Sequence, residues 1–273
     1  MAENQSVIVT GAASGMGLAM TMALLNAGHD VTATDRNAAG LADLARRAAN
    51  LRGKVNPVAA DLTQPDSFSH VAGAALVRFG RIDALVNNAG IGQAELRAGA
   101  RRNPIRFWET TAEQWQRFMA INGAAPINMA RAVLPHMPAA KQGRIVTVTT
   151  SLGTMVREGY LLYGSSKAAA EAAMASLAAD LAGTGVTSNI LVPGGVTNTP
   201  LVGQAAGDPA KMLQPEIMVP PLLWLLSDAA RGVNGRRYVA ADWDRNLDPA
   251  KAAEKAGAPI AWMSIARMPI QPD

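Results

Sequence analysis

Ser6-Val7-Ile8-Val9-Thr10-Gly11-Ala12-Ala13-Ser14-Gly15-Met16-Gly17 runs from an apolar stretch of strand length into a turn with three glycines, and a helical stretch follows to Gly28. Strand, glycine turn and helix in that order let backbone N–H groups approach a pyrophosphate at the helix N-terminus. The spacing is G-x-x-x-G-x-G rather than G-x-G-x-x-G, so a plain turn with a helix cap stays open as the alternative. Working outward, Asp30-Val31-Thr32-Ala33-Thr34 reads as a second strand that ends at Asp35. A carboxylate about 20 residues after such glycines suits the hydroxyls of an adenosine ribose and repels a 2′-phosphate. Arg36 beside it would attract that phosphate, so NAD is favoured and NADP is the alternative. Asp35 would otherwise serve only to cap the helix expected over 37–50.

The remaining strands and helices alternate in the same way. Pro57-Val58-Ala59-Ala60 forms a short third strand closed by Asp61-Leu62, whose carboxylate suits an adenine amino group or merely ends a turn. A helix over 65–79 and a strand over 83–87 lead into Asn88-Ala89-Gly90, small enough for a backbone passing close to a ribose. The stretch 111–135 reads as mainly helical, with Asn122 inside it. Further strands are expected over 144–149, 187–192 and 237–240, with helices over 161–181 and 218–229. This alternation predicts one α/β domain, a Rossmann-like doubly wound parallel β-sheet with helices on both faces. Its core spans about 6–240 and a tail follows over 241–273.

Composition narrows the function. The chain has 273 residues, no cysteine and three scattered histidines, which disfavours disulfides and metal sites and favours a cytoplasmic location. No apolar run approaches a membrane-spanning length, and Met1-Ala2-Glu3-Asn4-Gln5 lacks the features of a signal peptide. The net charge of +4 comes without a long basic tract, so nucleic acid is disfavoured and anionic small molecules fit better.

Tyr163-Gly164-Ser165-Ser166-Lys167 sets a phenol and an ammonium four residues apart, on one face if the segment is helical. A neighbouring cation favours the phenolate, lowering its pKa from about 10 and giving an acid/base near neutral pH. Thr150 and Ser151 offer hydroxyls just upstream. After Pro193-Gly194-Gly195, backbone groups from Val196 on suit a nicotinamide carboxamide, and a threonine hydroxyl suits a phosphate. The irregular stretch 92–110 carries Arg97, Arg101, Arg102 and Arg106; it is expected to cover the active site and favour an anionic substrate, or else to be a solvated excursion. The segment 203–209 reads as a lid, and Met155, Val156, Leu201, Val202 and Met212 as apolar pocket lining. The alanine-rich run 168–174 permits close helix–helix approach and so a dimer interface.

Taken together, these motifs resemble those of a classical short-chain dehydrogenase/reductase over about 6–240. Thr10 to Gly17 matches T-G-x-x-x-G-x-G, Asn87 to Gly90 matches N-N-A-G, and Asn122, the Tyr163/Lys167 pair and Pro193-Gly194 follow in the family's order. The resemblance implies an NAD(P)-dependent alcohol dehydrogenase or carbonyl reductase, interconverting a secondary alcohol and a ketone by hydride transfer. It implies that Tyr163 exchanges a proton with the substrate oxygen, Lys167 holds the nicotinamide ribose, and Asn122 seats a water of the proton relay. A homotetramer or homodimer is also implied. The family's substrate-orienting serine is replaced by Thr150, with Ser151 adjacent, and threonine's extra methyl stiffens χ1. Where the family has a phosphate-contacting threonine, the strict spacing falls on Asn198; one extra residue brings in Thr199, which is favoured. The usual glycine-rich ending is missing, and the tail is expected to help close the substrate pocket or a neighbour's. The rival reading is a non-catalytic NAD(P)-binding regulatory protein on the same fold.

Overall fold

The computed structural model describes residues 4–100, 103–137, 143–203 and 207–265. Eight strands form one sheet: β1 (Ser6–Thr10), β2 (Asp30–Asp35), β3 (Val55–Ala59), β4 (Ala84–Asn87), β5 (Arg144–Val148), β6 (Thr187–Val192), β7 (Arg236–Val239) and β8 (Gly257–Pro259). Their order is β3-β2-β1-β4-β5-β6-β7-β8. The first seven pair in parallel, with β1 between β2 and β4. Every residue of β1, β4, β5 and β6 is buried, because helices cover both faces. Pro57 lies within β3, where the edge position removes the need for its missing N–H.

One face is packed by α1 (Gly15–Ala27) and α2 (Ala38–Ala48), with α8 (Val219–Leu225) and α9 (Pro249–Ala256). The other carries α3 (Asp66–Phe79), α5 (Ala125–Val133) and α7 (Leu161–Asp180). Chain order reverses between β1 and β4, and a crevice at the carboxyl ends of the strands opens at such a reversal. The glycine turn sits there. A Cβ on Gly17 would lie 2.0 Å from the Gly11 carbonyl oxygen, so no larger residue lets α1 start so close beneath the turn.

Two elements depart from the sequence reading. The expected helix over 111–135 is broken into α4 (Ala112–Phe118), a π-helical turn (Met119–Ala124) and α5. Pro126 has no N–H to give the Asn122 carbonyl, and the wider turn accommodates that loss. The second is the tail, whose described part lines neither of the two cavities at the strand ends and is packed onto the sheet. Asp248 caps α9 by accepting from the Ala250 N–H at 2.9 Å, and Ala252, Ala253 and Ala256 pack into the core. β8 then pairs antiparallel with β7, so the sheet is not wholly parallel. Trp243 stacks near Trp224, which also meets Tyr238, and this aromatic group binds the tail to the sheet's far side.

Candidate active site

A cavity of about 520 Å³ lies over the switch point, lined by Gly11, Ser14, Gly15 and Met16 from the turn and by Asp35 and Arg36 from the end of β2. Asp61 and Leu62 after β3, and Asn88, Ala89 and Gly90 after β4, complete this wall. A second cavity of about 310 Å³ holds Thr150, Ser151, Tyr163 and Lys167, with Pro193, Gly194 and Val196 after β6. The two adjoin: Met16, Asn88, Gly92, Ala94, Thr199 and Leu201 line both.

Local sequence explains this convergence. Asn88 donates its amide to the Thr10 and Gly11 carbonyls at 3.0 and 3.2 Å, tying the end of β4 to the glycine turn. The Thr10 hydroxyl accepts from the backbone N–H groups of Asn88 and Ala89, both at 3.0 Å. Asp35 accepts from the Ala13 N–H at 3.1 Å and the Asn37 N–H at 2.9 Å. The cap of α2 is Asn37, not Asp35: its side chain accepts from the Gly40 N–H at 3.0 Å. Arg36 lies 3.5 Å from Glu95, so its charge is partly answered within the chain. Asp61 is held below its ordinary pKa, first by the Thr63 backbone N–H it accepts from. Thr199 lines both cavities, whereas Asn198 turns its amide to Gln214 at 3.2 Å.

The Tyr163–Lys167 spacing is helical as expected, yet the electrostatics differ. Burial pushes the Tyr163 ring oxygen up to about 12; the Thr150 side chain pulls the other way, and Tyr160 adds to the rise. Burial draws Lys167 down to about 8. Its ammonium donates to the Val148 carbonyl at 3.0 Å. The expected lowering of the tyrosine by its neighbouring cation is therefore corrected: desolvation sets the direction for both groups, because the charged form of each loses its water. Gly90 leaves space beside the Lys167 ammonium, since a Cβ there would stand 3.3 Å from Nζ.

Asn122 lines neither cavity. Its side chain donates to the Ile91 carbonyl at 3.0 Å and to the Ser166 hydroxyl at 3.1 Å, and accepts from the Ile91 N–H at 2.9 Å. Both amide protons are thus spent on protein groups, while Oδ1 keeps a second acceptor site. Gly17 likewise lies behind the wall rather than in it.

The stretch 92–110 does reach the site, since Gly92, Gln93, Ala94, Gly99 and Ala100 line the second cavity. Its described arginines do not: Arg97 pairs with Glu109 and Arg106 with Glu158, and neither lines either cavity; Arg101 and Arg102 lie outside the described residues. The cation at the second cavity besides Lys167 is Arg157, which packs over the Tyr160 ring at 5.1 Å and has no acidic partner among the described residues. Among the described residues, no Asp or Glu lines that cavity. Of the expected apolar lining, Leu201 and Val202 are present, while Met155, Val156 and Met212 are not. Part of the expected lid, 204–206, lies outside the described residues. Gln93 and Arg157, both at the second cavity, lie in the stretches 92–110 and 152–160 expected at the pocket, but neither residue was singled out by the sequence.

A glycine-turn cradle at a helix N-terminus leads to a buried phenol, an ammonium and a hydroxyl, an arrangement that suits a nucleotide beside an acid/base group. The chain belongs to the short chain dehydrogenase family, whose model matches residues 5–209. It is 31% identical to the 3-oxoacyl-[acyl-carrier-protein] reductase FabG of Thermotoga maritima over 86% of this chain and 95% of that one. A solved short chain dehydrogenase from Pseudomonas syringae superposes with a TM-score of 0.77 at 30% identity, covering 87% of this chain and 95% of that chain. The 3-ketoacyl-(acyl-carrier-protein) reductase of Brucella melitensis, complexed with NADH, gives 0.74 at 25% identity over 85% and 94%. The protein is thus an oxidoreductase of this family.

Proposed function

We propose that this protein is an NAD-preferring alcohol dehydrogenase or carbonyl reductase that interconverts a secondary alcohol and a ketone, with Tyr163 as the acid/base. The carrying observation is the meeting of Tyr163, Thr150 and Lys167 on one wall, adjoining the cleft of the glycine turn. A bound nicotinamide supplies or receives the hydride. The chain supplies everything else. The turn's backbone N–H groups and Thr199 hold the phosphates, Lys167 holds a ribose, and the groups from Pro193 to Val196 orient the carboxamide. Asp35 takes the adenosine ribose hydroxyls and Asp61 the adenine amino group. Thr150, with Ser151 beside it, orients the substrate oxygen. Tyr163, protonated at neutral pH, is in the form that gives a proton to a carbonyl oxygen as negative charge grows there. The reverse reaction needs the phenolate and gains with rising pH.

NAD is preferred because the Asp35 carboxylate stands in the cleft while Arg36 is shared with Glu95. An anionic substrate group is supported by Arg157 and by a second-cavity lining that has no carboxylate among the described residues. The same proposal takes the chain as one catalytic domain, cytoplasmic, assembled as a homotetramer or homodimer. No helix among the described residues is long and apolar enough to cross a membrane.

The test is turnover of a panel of neutral and carboxylated ketones, including ethyl acetoacetate, acetoacetate and levulinate, with NADH and with NADPH. NADH should be used at least tenfold better, and Tyr163→Phe should lower kcat by roughly 10²-fold or more while NADH still binds. Tight NADH binding without turnover of any ketone or alcohol would favour the regulatory alternative.

A further inference from the structure

Behind the second cavity lies the one ion pair among the described residues with both side chains buried. Glu171 of α7 and Arg237 of β7 meet at 2.8 Å, with side-chain exposures of 0% and 7%. Glu171 follows Lys167 by four residues and shares its helix face. Its second oxygen accepts the Thr149 hydroxyl at 2.7 Å, and its first also accepts the Ala261 backbone N–H at 3.2 Å. Arg237 donates its Nη2 to the Thr150 carbonyl. The end of β5 is thus held at three consecutive residues: Val148 by Lys167, Thr149 by Glu171 and Thr150 by Arg237.

The last of these holds has a chemical purpose. Beyond Val148 the strand has ended, and the guanidinium supplies the donor that a neighbouring strand would give. The branched side chain of Thr150 has few χ1 choices, so its hydroxyl points where its backbone is placed. That hydroxyl lines the same cavity as the Tyr163 ring and favours its ionised form. A buried ion pair is an expensive way to fill space, and apolar residues of similar volume would do so at lower cost. The tail contributes at the same node. Ala261 has φ 52, the left-handed region that non-glycine residues rarely adopt, and there presents its N–H to Glu171.

Building on the proposed reaction, we propose that Glu171 and Arg237 are positioning residues that aim the Thr150 hydroxyl at Tyr163, with the tail turn at Ala261 completing the pair. The experiment has one readout that needs no substrate. The ¹³Cζ resonance of Tyr163, assigned through Tyr163→Phe, reports the influence of Thr150 on the ring oxygen. Arg237→Met should move it in the same direction as Thr150→Ala, and adding Arg237→Met to Thr150→Ala should move it no further. In turnover of the best ketone of the panel, Arg237→Met should lower kcat on the order of tenfold, leave the KM for NADH within about threefold, and be partly rescued by Arg237→Lys.

Should Arg237→Met fail to fold, the double variant Glu171→Gln/Arg237→Met removes both charges and carries the same expectations. An unmoved resonance in a folded variant overturns the proposal. So does a kcat loss equally large in the Thr150→Ala background, which would make the pair a scaffold only. If the wild type reduces no ketone, the proposed reaction falls, and the resonance still decides the positioning.

Discussion

Burial acts on the two members of the Tyr163–Lys167 pair in opposite senses, raising the phenol to about 12 and lowering the ammonium to about 8. At neutral pH the pair therefore consists of a neutral acid and a cation that is close to losing its proton. An ammonium donates a stronger hydrogen bond to a ribose hydroxyl than an amine does. Binding of NADH to the free protein should weaken on the order of tenfold as pH rises from 6.5 through 8 to 9.5, while the folded-state Lys167 gives up its charge. Quenching of intrinsic fluorescence by NADH measures this, with Lys167→Met as the control in which the affinity is low and flat. A wild-type affinity constant across that range would mean that Lys167 does not titrate near 8. The pairing of these two side chains was legible from a spacing of four, because helix geometry alone brings them together. The sign of the tyrosine shift was not, because desolvation depends on what other segments cover, and spacing carries no such information.

At the scale of elements, the glycine turn and the alternating strands were legible because each is a local pattern with a local cause. The π-helical turn was not: Met119 to Ala124 shows the same apolar spacing in either winding, and only the company of Pro126 hints at the difference. Its consequence is the placement of Asn122, which grips both backbone polar groups of the buried Ile91, next to Gly90 of the cleft. Asn122→Ala would leave that N–H and carbonyl without their side-chain partner in a buried place. The expected loss is about 3 kcal/mol of unfolding free energy, together with weaker NADH binding as residues 88–91 loosen. Urea titration checks the first, and a loss under about 1 kcal/mol would show that Ile91 is fixed by other contacts. The antiparallel β8 escaped the sequence reading for a different reason: Gly-Ala-Pro has no alternation and little strand propensity, and it pairs only because the edge of β7 is there.

For the whole molecule, that same edge bears on assembly. The sheet ends at β3 on one side, where Pro57 interrupts the outer row of donors, and at the three-residue β8 with Pro259 on the other. Both edges are poor templates for joining a second sheet, so copies of the chain must associate through helix faces if they associate at all. The outward side of α7 offers exposed Ala172, Ser176 and Ala179 at spacings of four and three, a stripe over which two backbones can approach closely. Phe107 and Trp108, 66% and 80% exposed, are further apolar surface that a monomer would leave in water. Sedimentation velocity of the wild type should give a dimer or tetramer. Ala172→Arg, which places a long charged side chain on the stripe without touching either cavity, should give smaller species at the same concentration with NADH affinity retained. A wild type that sediments as a monomer, or an Ala172→Arg chain of unchanged mass, would remove α7 from the interface and leave the exposed aromatic pair as the surface to examine.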